Sequence, residues 1–494
     1  MKTLITGGRI VSEGRCFEGD ILIDGEQISE IRPSVNGKSV NGKSGNSKSV
    51  NGKSVNGKSV NIIDACGCYV LPGIIDDHVH FREPGLTEKG DIESESRAAA
   101  AGGVTTYFDM PNCIPPTTTP AALDEKFRLA RQKSHVNYSF FYGATASNVS
   151  TFSRLDATRI PGIKLFMGSS TGDMLVDDRQ ALERIFRDCR LPLMVHCEDS
   201  SIISRNMAQA QAAWGDDPPV GLHAMIRSEE ACLSSVAEAV RLARKYGTRL
   251  HVAHVSTAEE LDVIARDESS RDERLEMRNE RYDYSHGVQG NHTSHFSPLT
   301  SQLITAEVCV GYLLFSQLDH ERLGTRIKVN PAIKTPVDQY LLRQALTDGR
   351  ITVVATDHAP HLLAQKQGGA ARAVSGMPMV QFSLVSMLEL VDAGVLTIER
   401  VAELMAHNPA RLFGVQRRGF LRSGYQADIV IVSPRSPWTV TPDVIQSKCG
   451  WSPLEGHEFQ WRVERTLCNG HTVYAHGAVL PVMAGQPVEF RHEA

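Results

Sequence analysis

The chain has 494 residues and a formal net charge of -5, with 41% hydrophobic and 22% charged residues. That length exceeds one average domain, and the balance is that of a globular protein with a core of ordinary size. The negative charge argues against nucleic acid as the main partner. No segment approaches a membrane span, and the N-terminus lacks the apolar stretch of a signal peptide, so no membrane partner is expected. Ten scattered cysteines without a leader sequence read as reduced thiols in a cytoplasm, and the pair Cys66 and Cys68 lacks a second pair at zinc-site spacing.

In chain order, residues 2–32 predict short β-strands, with Asp24-Gly25 as a hairpin signal. Residues 34–60 are a five-residue repeat, Ser-Val-Asn-Gly-Lys, with Ser44-Gly45-Asn46-Ser47-Lys48 as a degenerate copy, so that no unit holds more than one valine. Such a tract cannot bury a core and reads as a flexible insertion without chemistry. Residues 62–72 resume the strand pattern. From 71 to 418 buried strands alternate with helical stretches. Strands are predicted over 104–110, 162–167, 193–197, 250–255, 304–308 and 351–357, and helices over 91–101, 228–246 and 397–404. That rhythm predicts parallel strands with helical crossovers, an α/β (β/α)₈ TIM-type barrel carrying insertions. Residues 267–302 form a second irregular insertion, which the barrel order places on the face away from the active site. His286, His292 and His295 within it are therefore read as loop histidines. Short strands return in 419–494, and together with 1–70 they predict one small β-sandwich domain built from both chain ends.

The most informative stretch is Gly73 to Gly85, an apolar strand that ends in Asp77-His78-Val79-His80-Phe81-Arg82-Glu83-Pro84-Gly85. Side chains two apart on a strand share a face, so His78 and His80 can hold one metal ion together. Further polar residues stand at or near the ends of later apolar strands: Lys164, His196, His254 and Asp357. Catalytic groups of this fold come from the C-terminal ends of several strands. Alternation along the strands makes His254 and Asp357 the inward-facing residues, and leaves His251 and His358 facing outward or playing a supporting part. Four histidines, a lysine and an aspartate suit two divalent metals. A lysine serves there only if its amine, neutral through burial, captures CO₂ and becomes a bridging carbamate. Imidazole and carboxylate donors favour zinc.

On these residues the chain resembles the cyclic-amidohydrolase branch of the amidohydrolase superfamily, and within it the dihydroorotases. The matching motifs run in order: Asp77 to Gly85, Met110-Pro111-Asn112, Ile163-Lys164-Leu165-Phe166, Val195-His196-Cys197-Glu198, His254-Val255-Ser256-Thr257, Asn330-Pro331 and Thr356-Asp357-His358-Ala359-Pro360-His361. The resemblance implies a barrel plus a β-sandwich and a binuclear zinc site. Its ligands would be His78, His80, His196, His254, Asp357 and Lys164 as N6-carboxylysine. It also implies reversible hydrolysis of dihydroorotate to carbamoyl-aspartate, the third step of pyrimidine biosynthesis. A hydroxide shared by the metals would attack the ring amide, with Asp357 as the catalytic acid and base. Arg82 suits the substrate carboxylate, because arginine grips carboxylates with a two-pronged fork. Asn112 and His361 look like its companions in substrate binding. The alternatives are an allantoinase or other cyclic amidohydrolase, and an inactive scaffold relative, which would have lost metal ligands. Two departures from the family pattern stand out: Gly311 where a histidine is frequent, and Gln381 where a glutamate is. The sequence leaves open both a homodimer and association with an aspartate transcarbamoylase.

Overall fold

The computed structural model describes residues 2–34, 53–55, 58–168, 174–265 and 302–492. Most of the two predicted insertions, with His286, His292 and His295, lies outside the described residues. Eight parallel strands form a barrel. They are β1 Ile74–Val79, β2 Val104–Asp109, β3 Asn137–Phe140 continued by Tyr142–Gly143, β4 Ile163–Met167, β5 Leu193–Cys197, β6 Leu250–Val252, β7 Ile304–Cys309 and β8 Val353–Ala355. Successive strands pair in parallel register. A parallel bridge from Val79 to His358 and the His80 N–H on the His358 carbonyl (2.8 Å) close the ring between β8 and β1.

The strands carry branched and aromatic residues and are buried throughout except at Ile304, as a sheet covered on both faces requires. The helices that cover them follow ordinary stop and start chemistry. Glu229–Tyr246 is capped by the Ser228 side chain, begins with Glu229 and Glu230, carries Arg244 and Lys245 in its last turn, and stops at Gly247 with φ 68°. Its inner face, including Val236, Val240 and Leu242, packs in the same core cluster as Val195 and Val252. Strand β3 falls outside the predicted set. Its polar positions Asn137 and Ser139 break the apolar run, and they are buried because Asn137 bonds to Asp428 and Asn469, and Ser139 to the Arg159 carbonyl.

Strands from both ends of the chain join in one ten-stranded sheet that builds the β-sandwich domain. Tyr69–Pro72 links the halves. It lies parallel to Lys2–Ser12 on one side and antiparallel to Ile429–Ser433 on the other. Ile5, Ile21, Ile23, Val70, Ile429 and Leu467 form its core. Two features differ from the sequence reading. Lys58–Asp64 runs parallel to Lys2–Ser12 and pairs with Lys53–Val55, so the last repeat units enter the sheet edge. Pairing at an edge uses backbone groups and asks little of side chains. The C-terminal part also returns to the barrel: Trp451 donates its indole N–H to the His361 carbonyl (2.7 Å), and Tyr138 N–H to Gln486 (3.1 Å). Among the described residues no helix is long and apolar enough to cross a membrane. All ten cysteines are free.

Candidate metal centre and substrate pocket

At the C-terminal ends of the strands, Asp357 meets both histidines of the first strand. Its Oδ1 lies 2.9 Å from His80 Nε2 and 3.6 Å from His78 Nε2, and these three donors could hold one cation. His254 closes the group from the other side: its Nε2 is 2.9 Å from His196 Nδ1, and its ring centroid 5.2 Å from that of His78. Lys164 is fully buried, and its Nζ has no hydrogen-bond partner among the described residues. Burial lowers its pKa, opposed by the charges of Glu307 and Asp357, and its own charge helps depress His78, His196 and His254. The lysine therefore sits among the histidines and the aspartate. Burial alone would raise the pKa of Asp357, but His80 donating to it and the charges of His78 and His254 hold it below the usual carboxylate range.

The other ring nitrogen of three histidines is already engaged. His78 Nδ1 faces Glu307 Oε1 (2.9 Å), His80 Nδ1 faces Asn112 Oδ1 (2.7 Å), and His196 Nε2 faces Glu198 Oε2 (2.9 Å). Such partners fix the ring orientation and leave the opposite nitrogen free for a metal. The free nitrogens, His78 Nε2, His80 Nε2 and His196 Nδ1, are those that meet Asp357 and His254. The donor set of imidazoles, a carboxylate and an unpaired buried amine thus fits a pair of divalent ions. Glu198 in turn pairs with Arg227.

Two of the candidate ligands reach the site through backbone turns that strand alternation does not describe. His254 and Asp357 lie beyond the ends of β6 and β8 with φ 38° and 48°, in the left-handed region that a non-glycine residue seldom adopts. His251, assigned outward or supporting by alternation, faces Asp77 and Glu307, beneath the group of ligands. It shares its strand face with Ala253, which belongs to the same apolar cluster as Ile75, Met194 and Val353. Alternation holds only along extended backbone, and the turn at His254, with φ 38°, breaks it. His358 does point away, to Glu95 on helix Ile92–Ala101 (2.8 Å).

Arg82 has φ 70° and is buried, donating from Nε to the Pro360 carbonyl and meeting His361 Nε2 with Nη2, both at 3.0 Å. Burial pushes its guanidinium down to about 10 and, with the Arg82 charge, drives the His361 imidazole far below its ordinary value. His361 is therefore a neutral ring beside a cation. The turn is held from below: Asp109 accepts the Phe81 N–H (2.9 Å) and pairs with the fully buried Lys126 (2.5 Å). Asn112 joins the site through its oxygen, which is committed to His80 Nδ1. Gly168, just past β4 with φ 90°, lets that strand end approach its neighbour, since a Cβ there would fall 1.3 Å from the Glu198 carbonyl oxygen.

Glu307 is the main residue that sequence reading missed. It is fully buried, accepts the His254 N–H (2.9 Å) and the Cys309 thiol (3.3 Å), and orients His78. A lone carboxylate inside the apolar run Thr305 to Cys309 was the available signal. Of the two departures, Gly311 packs against the Met377 side chain, whose terminal methyl, 2.1 Å from where a Cβ would stand, would have to move for a larger residue. Gln381 ties the barrel to the C-terminal segment through the Val444 carbonyl (2.7 Å) and the Gln446 N–H (2.8 Å).

Residues 69–473 match the Amidohydrolase family. A dihydroorotase of Halobacterium salinarum is 33% identical over 474 residues, 94% of this chain and 95% of its own length. An allantoinase of Bacillus velezensis is 32% identical over 481 residues, 96% and 94% of the two chains. Among solved structures, an L-hydantoinase (dihydropyrimidinase) from Arthrobacter aurescens superposes with a TM-score of 0.82 at 26% identity, covering 99% of each chain.

Proposed function

Because this chain belongs to the amidohydrolase family, as a cyclic amidohydrolase, we propose that its substrate is dihydroorotate, hydrolysed reversibly to carbamoyl-aspartate by a zinc-dependent dihydroorotase. The observation that carries this reading is Arg82, a buried guanidinium at the edge of the ligand cluster with two of its donors engaged by Pro360 and His361. A buried charge of this kind is costly unless a counter-charge arrives with the substrate. Dihydroorotate brings a carboxylate next to its ring N–H. Allantoin and dihydrouracil bring none.

In this reading His78, His80, His196, His254 and Asp357, together with Lys164 in carboxylated form, would hold two zinc ions. When bound, the ions would acidify water and polarise the ring carbonyl. The protein groups do the rest. Arg82, with His361 and the free amide N–H of Asn112, orients the carboxylate so that the scissile amide faces Asp357. Asp357, with its depressed pKa, starts as a carboxylate and accepts a proton from the attacking water. As the carbon–oxygen bond forms, the ring carbon–nitrogen bond breaks, and Asp357 returns that proton to the leaving nitrogen. Run in reverse, the same transfers close the ring with loss of water. His361, held neutral, accepts from Arg82 and keeps the fork planar to the substrate.

The purified protein assayed with dihydroorotate, allantoin and dihydrouracil tests the assignment. Preference for dihydroorotate is expected, and turnover of allantoin at an equal or higher rate would overturn it.

A further inference from the structure

The aspartate beyond the end of β8 holds a conformation that its residue type does not favour. Asp357 has φ 48°, and a non-glycine residue stays in the left-handed region only where its surroundings over-determine it. On one side Thr356 is fixed to Asp76, its N–H on Oδ1 (3.2 Å) and its hydroxyl on Oδ2 (2.6 Å). On the other stands His358, whose N–H donates to Thr356 Oγ1 (3.1 Å) and whose carbonyl accepts the His80 N–H (2.8 Å). The His358 ring is the remaining anchor of the turn.

That ring is engaged at both nitrogens, and their roles can be assigned. The N–H groups of Met379 (3.0 Å) and Val380 (3.2 Å) both point at Nδ1. A backbone N–H can only donate, so Nδ1 is a bare acceptor, the ring is neutral, and its proton is on Nε2. Nε2 donates to Glu95 Oε2 (2.8 Å), while Glu95 Oε1 accepts from the Ser94 hydroxyl (2.8 Å) and the Lys448 N–H (3.0 Å). Glu95 is thus a buried carboxylate with three donors, in the first turn of helix Ile92–Ala101, where negative charge is favoured. The C-terminal segment braces both partners of the ring: Lys448 through Glu95, and Gln446 through Gln381, which follows Val380. Burying a carboxylate is costly where an apolar side chain would fill the same place. What it provides here is a fixed ring direction, one residue from Asp357.

We propose that Glu95 and His358 are positioning residues for Asp357, holding the left-handed turn so that its carboxylate stays aligned with the scissile amide. Misplacing a reacting group by about 1 Å costs about 10²-fold in rate, and losing a partner behind a metal ligand about 10- to 100-fold. The inference rests on the acid–base reading of Asp357 and does not depend on which cyclic amide is the substrate.

The test is steady-state kinetics on the full chain, with metal content measured in parallel and the fastest of dihydroorotate, allantoin and dihydrouracil as substrate. Glu95→Ala should lower kcat by about 10- to 100-fold and leave KM within about threefold, with metal at the parental level. Glu95→Gln removes the same charge, which also acts on Arg82, but keeps an oxygen for His358 Nε2. It should recover kcat to within about threefold of the parent, so the difference between the two variants reads the hydrogen bond. If Glu95→Ala does not fold, His358→Gln reads the clamp from the other side: it keeps a donor for Glu95, gives Met379 and Val380 no acceptor, and should show the same split. Parental kcat, equal losses in the Ala and Gln variants, a loss carried by KM, or one that added zinc restores would each overturn the positioning role. Asp357→Asn is the control. Activity retained there removes the acid–base reading itself, whereas an inactive Asp357→Asn beside a fully active Glu95→Ala refutes the positioning alone.

Discussion

Replacing Arg82 with methionine removes the guanidinium and keeps most of the apolar stem. The engaged donors, Nε to Pro360 and Nη2 to His361, are both at 3.0 Å, and a fork of five donors leaves three for a carboxylate. Two charge-assisted hydrogen bonds at about 1.5–3 kcal/mol each amount to about 3–6 kcal/mol. At about 1.4 kcal/mol per decade, kcat/KM for dihydroorotate should fall by about 10²- to 10⁴-fold. Arg82→Lys should recover only part of this, because a point charge lacks the fork. Steady-state kinetics with the metal content measured in parallel is the assay. Metal should stay at the parental level, since Arg82 touches none of the candidate ligands among the described contacts. A loss of less than about tenfold, with metal unchanged, would refute the carboxylate-binding role.

Lys164→Ala should lose metal and activity together, and a short carboxylic acid in the buffer should restore part of both. A charged ammonium about 4 Å from a unit positive charge would cost about 4 kcal/mol at an effective dielectric near 20. An unmodified amine in fully active, metal-loaded protein, seen by mass or electron density, would contradict the carbamate. Lys126→Met leaves Asp109 buried and unpaired, so denaturant unfolding should show a loss of about 3–5 kcal/mol. A neutral result would mean that the pair does not anchor the Phe81 turn. Deleting residues 36–52, or 267–301, with a short Gly-Ser bridge should leave kcat within about threefold, because neither tract supplies a predicted ligand. A loss of about a thousandfold with the fold intact would reassign a role to one of them. The first deletion stops short of Lys58–Asp64, which is paired with Lys2–Ser12.

The barrel was legible because most of its strands are largely apolar runs and its helices carry ordinary caps, as at Asp91 and Ser228. The positions of His78, His80, Lys164 and His196 could be read because each lies in or beside an extended strand, where period two holds. His254 and Asp357 reached the same place through left-handed turns, and those are invisible to alternation. For the same reason the outward alternative for His251 fails, while its supporting place, facing Asp77 and Glu307, is the one the structure shows. Strand β3 was obscured by Asn137 and Ser139, whose partners lie far along the chain at Asp428, Asn469 and Arg159. Glu307 is the same problem in miniature. A carboxylate inside an apolar strand makes sense only once His78 and the His254 N–H, distant in sequence, are seen to meet it.

The central claim is that a buried arginine beside a metal centre selects a carboxylate-bearing ring. It is tested most directly by comparing kcat/KM for dihydroorotate, allantoin and dihydrouracil on one preparation of metal-loaded protein. Leaving Arg82 unpaired costs on the order of 3 kcal/mol, so dihydroorotate should be preferred by at least about a hundredfold. Equal or faster hydrolysis of allantoin would contradict the account.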